Sequence, residues 1–200
     1  KQALPLRFWI VDNSGSMMMV DCQRLVTREG RTFLVDCSRW DELRRSVETH
    51  ANLSGIVKAK TIFRLLNDPG AKVGPQEFVV QGKRHVPFAK DIMDKTEPGG
   101  MTPLTNHILE IRERIQAAES DLRRNGQKAV VVIATDGLPS NEFGESPESG
   151  RQDFAAALRL LKVLPVWIVV RLCTNNREVI KYYGDLDRDL EYPVDVIDDF

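Results

Sequence analysis

Cysteine is scarce in this chain: three in 200 residues, at Cys22, Cys37 and Cys173. An odd, low count does not build a disulfide scaffold and suits a reducing compartment, so the expected location is cytoplasmic, with an extracellular one as the alternative. An excess of either charge is missing too. Twenty-eight Lys and Arg stand against 29 Asp and Glu, a net charge of -1, which leaves no electrostatic footprint for nucleic acid or an anionic membrane. No apolar run approaches the roughly 20 residues of a membrane span. The longest, near Ala129–Ala134 and Val163–Val170, are short, and Lys162 and Arg171 bound the second. No G-x-x-x-x-G-K-[ST] is present and no G-x-G-x-x-G follows a strand, so phosphate-cradling loops are not expected. Nothing at the start reads as a signal peptide. The chain opens on Lys1 and closes on Asp198-Asp199-Phe200, which reads as a piece of something longer.

What is present is ordinary for a globular domain: 42% apolar and 28% charged residues, at a length that fits one domain over 1–200 with a sizeable core. Leu6–Val11 is a continuous apolar run, bounded by Pro5 and Asn13-Ser14-Gly15, and reads as a strand buried on both faces. Residues 20–37 read as a hairpin inserted after this strand, turning at Arg28-Glu29-Gly30-Arg31. Ser38 with Asp41 three residues on starts a helix whose inner face is Trp40, Leu43, Val47, Ala51, Leu53 and Ile56. Strands follow at Thr61–Leu66, Glu77–Val80, Lys128–Thr135, Pro165–Leu172 and Val194–Ile197. Helices are expected at Lys90–Lys95, Thr105–Arg124, Arg151–Leu161 and Asn176–Tyr183, with a surface loop at Ser140–Gly150. Glu110–Arg114 and Glu119–Arg123 are spaced for ion pairs on the long helix. The alternation predicts an α/β fold: a Rossmann-like, doubly wound, mainly parallel six-stranded sheet with helices on both faces.

In such sheets ligands sit beyond the carboxyl ends of the strands, where the strand order reverses. Two buried strands end there in aspartate, FWIVD at Asp12 and VVVIATD at Asp136. Ser14 and Ser16 follow Asp12 two residues apart, with Gly15 between them, so their hydroxyls can point the same way. Thr102, in the Gly99-Gly100-Met101-Thr102 loop, offers another hydroxyl. All five groups are hard oxygen donors, a set that selects Mg²⁺, Mn²⁺ or Ca²⁺ over Zn²⁺. Asp12, Ser14, Ser16, Thr102 and Asp136 are therefore the candidate metal ligands, and an open coordination position would favour an outside carboxylate.

This pattern resembles the von Willebrand factor A domain with its metal-ion-dependent adhesion site: Asp-x-Ser-x-Ser, then Thr in a Gly-rich loop, then Asp-Gly after a buried strand. The resemblance implies a sheet with one short antiparallel edge strand, here Glu77–Val80. It also implies a non-enzymatic, cation-dependent protein-binding module that captures an Asp or Glu of a partner. Two rivals stand beside it. One is a Mg²⁺-dependent phosphatase of the haloacid-dehalogenase type, which would need an acid where Ser14 stands. The other is an assembly subunit of an ATPase or chelatase complex. The hairpin departs from the family's usual run into its first helix; it either shapes partner choice or is a solvated insertion. Cys22 and Cys37 are equidistant from its turn, and they pair only if the domain is extracellular. His107 is expected to be a capping or surface residue, and Met17-Met18-Met19 is expected to pack the start of the segment after the metal loop, with a soft contact surface as the alternative. Asp185, Asp187, Asp189, Glu191, Asp195, Asp198 and Asp199 are expected to be solvated.

Overall fold

The computed structural model describes residues 5–28, 30–141, 143–190 and 194–198, excluding the side chains of 28, 190 and 194–198. The first strand, β1 (Arg7–Val11), leads through a 3₁₀ turn at Gly15–Met18 into a ribbon, β2 (Cys22–Arg28) and β3 (Arg31–Cys37). Then come α1 (Arg39–Val57), β4 (Thr61–Leu65), β5 (Glu77–Val80), α2 (Val86–Lys95), α3 (Leu104–Ala117) and α4 (Glu119–Arg124). The chain continues through β6 (Ala129–Thr135), α5 (Glu148–Leu161), β7 (Val166–Leu172), α6 (Arg177–Leu190) and β8 (Val194–Asp198).

The main sheet is mixed α/β in setting and mostly parallel, in the order β5-β4-β1-β6-β7-β8. Five strands run parallel, and β5 pairs antiparallel with β4 at the edge. The Rossmann expectation is corrected here. Winding outward from β1 in both directions gives the parallel strands the flavodoxin-type order second-first-third-fourth-fifth rather than the Rossmann order. The ribbon β2-β3 is a separate antiparallel sheet.

Strand periodicity divides the core. Phe8, Ile10, Val131 and Ile133 face a layer built on Ile108, Ile111, Phe154, Leu158 and Tyr183 of α3, α5 and α6. Trp9, Val11, Val132 and Ala134 face the opposite layer, with Met17, Trp40, Leu43, Val47 and Ile92. Neither face of β1 or β6 is left to water, which is why these strands read as unbroken apolar runs.

Several boundaries move. The expected helix Thr105–Arg124 breaks at Ala118, whose φ of -95° and ψ of 0° end α3 before α4 begins. Glu110 and Arg114 leave each other for Arg64 and Glu77 on the neighbouring strands, whereas Glu119–Arg123 forms at 2.7 Å. Leu53 and Ile56 are exposed, because α1 turns Ser54 and Gly55 inward instead. A Cβ on Gly55 would lie 2.8 Å from Val86 Cγ2, so the glycine permits the close approach of α1 and α2. The helix expected at Lys90–Lys95 starts four residues earlier, at Val86. Likewise α5 begins inside the expected loop, at Glu148, and α6 runs on to Leu190. Asp185 pairs with Lys181 and Arg188. Glu191 and Asp199 lie outside the described residues, as do the side chains of Asp195 and Asp198.

Candidate functional site

Strands β1 and β6 are direct parallel neighbours, with Val11 opposite Ala134. The chain order reverses between them, so their carboxyl ends open on one crevice. Asp12 and Asp136 both lie there, with 0% and 3% of their surface exposed. The loop after β1 is tied to the glycine loop by backbone bonds from Gly15 N–H to Gly100 C=O (3.2 Å) and from Gly99 N–H to Asn13 C=O (2.8 Å). Asn13 and Asn67 complete the tie. Asn13 accepts from the Asn67 N–H and donates to its carbonyl, while the Asn67 amide donates to Met101 C=O. Gly100 has φ +85°, and a Cβ there would lie 2.5 Å from Asn67 Oδ1.

The polar atoms are linked in series. Asp12 Oδ1 accepts from the Ser14 N–H (2.8 Å), and Oδ2 accepts from the Thr135 hydroxyl (2.6 Å). Ser16 donates to Asp136 Oδ1 (2.8 Å), so its proton is committed, and Ser14 Oγ, at 3.1 Å, donates to Ser16. The remaining oxygen, Asp136 Oδ2, accepts from Arg39 Nη1 at 2.8 Å. Arg39 also grips Asp21 through Nε (2.8 Å) and Nη2 (2.5 Å). Thr102 is buried, with its backbone bonded to Ser140 in both directions, and its hydroxyl faces Gly137, beside Asp136. Burial, with the like charge of Asp136 adding to it, pushes Asp12 up from the usual carboxylate value to about 6, against the pull of its hydrogen bonds. Asp21 is held below the usual range by its bonds to Arg39.

All five residues singled out in the sequence are thus brought to one end of the sheet. Each aspartate is satisfied internally, and the charge of Asp136 is already met by the buried guanidinium of Arg39. Among the described residues, no group of three or more His, Cys, Asp or Glu side chains is placed to hold a metal ion. Sequence reading missed Arg39, Asp21, Thr135 and Asn67. One signal for Arg39 was available: it is the first residue of α1, where the positive end of the helix dipole disfavours a cation unless carboxylates face it.

His107 is a second correction, being buried rather than at the surface. Its Nδ1 accepts from Arg64 Nε (2.7 Å), which places the proton on Nε2, donated to Leu66 C=O (3.0 Å). Met17 is fully buried behind the loop, but Met18 and Met19 are exposed, as are Val20, Met101 and Phe143 on the loops around the cluster.

No family model matches this chain, and no curated protein matches it. Solved structures do. A point mutant of the PilB minor pilin from Streptococcus sanguinis superimposes with a TM-score of 0.63 at 16% identity, over 99% of this chain and 57% of that one. The pilus adhesin SpaC from Lactobacillus rhamnosus GG, in an open conformation, gives 0.60 at 14% identity, over 100% and 28%. Proximal thread matrix protein 1 from the mussel byssus gives 0.51 at 13% identity, over 94% and 46%. This chain spans little more than half the length of the minor pilin and less of the others. The likeness is one of fold. It overturns the expected von Willebrand factor A assignment with its metal-ion-dependent adhesion site: the matching solved structures include a minor pilin and a pilus adhesin, and the described residues hold no metal-holding group of His, Cys, Asp or Glu. The expected capture of a partner's carboxylate through Mg²⁺ falls with it, and the comparisons lend the expected cytoplasmic location no support.

Proposed function

We propose that this chain is a non-enzymatic structural or adhesive module of a surface pilus or comparable extracellular assembly, working by protein–protein contact. The supporting observation is the fold likeness over nearly the whole chain to a minor pilin and a pilus adhesin. The physical case rests on the crevice end of the sheet. Buried Asp12, Ser14, Thr102, Asp136 and Arg39, with the exposed Ser16 bridging Ser14 to Asp136, make a polar knot that ties three loops together. Those loops and the ribbon root carry Met18, Met19, Val20, Met101 and Phe143, each at least 42% exposed. Large apolar side chains clustered on rigid loops are a contact surface rather than a catalytic one. No step of this function is routed through a cation.

Antibody to this chain, applied to intact and permeabilised source cells, tests the reading. Labelling of intact cells, with recovery of the chain in sheared surface filaments, is expected. Labelling only after permeabilisation would overturn it.

A further inference from the structure

We infer that Cys22 and Cys37 are a disulfide site that staples the root of the β2-β3 ribbon. The two residues are directly opposed in the antiparallel register, as the last pair before the ribbon joins the body. Opposed residues in such a pair have Cα atoms about 4.5–5.5 Å apart and side chains on the same face, within the roughly 4.4–6.8 Å that disulfides span. Both are free thiols in the structure, Cys37 buried and Cys22 partly exposed.

An independent contact shows the root already closed. Asp21 precedes Cys22, Arg39 stands two residues after Cys37, and the two are joined by a pair of bonds at 2.8 and 2.5 Å. The strands are held together one step outside the thiols, so forming the bond requires no change in the path of the chain. The third cysteine, Cys173, is buried in the layer beneath α1 and serves as an internal control.

The oxidant is a small-molecule or enzyme-borne disulfide. With oxidised glutathione, the more exposed Cys22, as thiolate, attacks one glutathione sulfur and releases the other as a thiol. Cys37, as thiolate, then attacks Cys22 Sγ and releases the second glutathione. Two protein thiols and one oxidised glutathione become one protein disulfide and two reduced glutathiones, with the two electrons passing to glutathione. Burial and Glu42 push the Cys22 thiol up to about 12, and burial raises Cys37 as well, so the uncatalysed exchange is slow.

The inference rests on the ribbon register. The surface reading above supplies only the oxidising surroundings, and the test keeps the two apart. The reduced protein is equilibrated in a buffer of oxidised and reduced glutathione, alkylated, and mapped by mass spectrometry. Expected is a fall from three free thiols to one, a mass loss of two hydrogens, and a linked peptide containing Cys22 and Cys37. In the Cys173→Ser variant no free thiol should remain, whereas Cys22→Ser and Cys37→Ser should form no internal bridge. Retention of all three thiols, a bridge to Cys173, or a glutathione adduct on Cys22 that never resolves onto Cys37 would overturn the inference. Bridging in the buffer, with reduced cysteines in chain alkylated inside source cells, would uphold the pairing and count against the surface reading alone.

Discussion

The crevice end of the sheet and the β2-β3 ribbon leave the same stretch of chain, yet they are held by opposite means. At the crevice all four carboxylate oxygens of the buried Asp12 and Asp136 are paired. Along the ribbon Leu25 and Leu34 face each other at 67% and 65% exposure, and Thr27 and Thr32 share one long hydrogen bond of 3.3 Å. The crevice draws its order from burial, the ribbon from its ladder and from the Arg39–Asp21 clasp at its root. The difference teaches that buried charge fixes the loops that carry exposed apolar side chains, while the ribbon's order rests on its own ladder and root. A loop fixed by buried charge can present apolar side chains without collapsing onto them.

The largest expected effect lies at the joint between the two. Arg39→Ala strips the cation from Asp136 and opens the clasp, and should lower the unfolding free energy by about 3 kcal/mol in a denaturant titration. A loss below about 1 kcal/mol would mean the joint behaves like an exposed ion pair, and the contrast would fail.

Next comes acid sensitivity on the buried side. Burial and Arg64 lower the His107 pKa below its ordinary value. With the folded value beneath the unfolded one, the unfolded chain takes up the proton first. Stability from this group is complete above about pH 6.5 and declines as the pH falls through that window. His107→Gln should flatten the slope of stability against pH between 6.5 and 5, measured relative to wild type. An unchanged slope would assign it elsewhere.

Smaller still is the ribbon's own contribution. Leu25→Ser with Leu34→Ser should shift stability by no more than about 0.5 kcal/mol in a denaturant titration. A stability loss several times larger would show that the ribbon's outer face is covered by the body. Least of all is the response to cations. Adding or chelating Mg²⁺ should leave the wild-type melting midpoint where it is, and a rise of several degrees would show a divalent ion competing with Arg39 for Asp136.

Legibility in the sequence follows the range of the forces. The strand runs ending at Asp12 and Asp136 were readable because burial on both faces writes an unbroken apolar signature. Their convergence followed from the reversal rule. The ribbon was readable from Gly30, whose φ of +75° suits the turn. By contrast, Arg39 meets Asp136 across 97 residues, and nothing local marks that partner. The break at Ala118 falls on a good helix former, so tertiary packing overrides propensity there. His107 looked like a helix-surface residue because its partners, the Arg64 guanidinium that donates to it and the Leu66 carbonyl that accepts from it, sit on and just after a distant strand. The same limit holds for the five oxygen donors: their type and order are written along the chain, but the Arg39 counter-charge on Asp136 is not.

Position 100 has a consequence for how this protein can vary. Its backbone is left-handed, and the space where a side chain would begin is filled by the amide that joins two loops. Alanine would have to give up both the conformation and the amide's place. A library randomised at this codon and sorted for folding should return glycine alone, which makes Gly100 a narrow gate through which every descendant of this loop must pass.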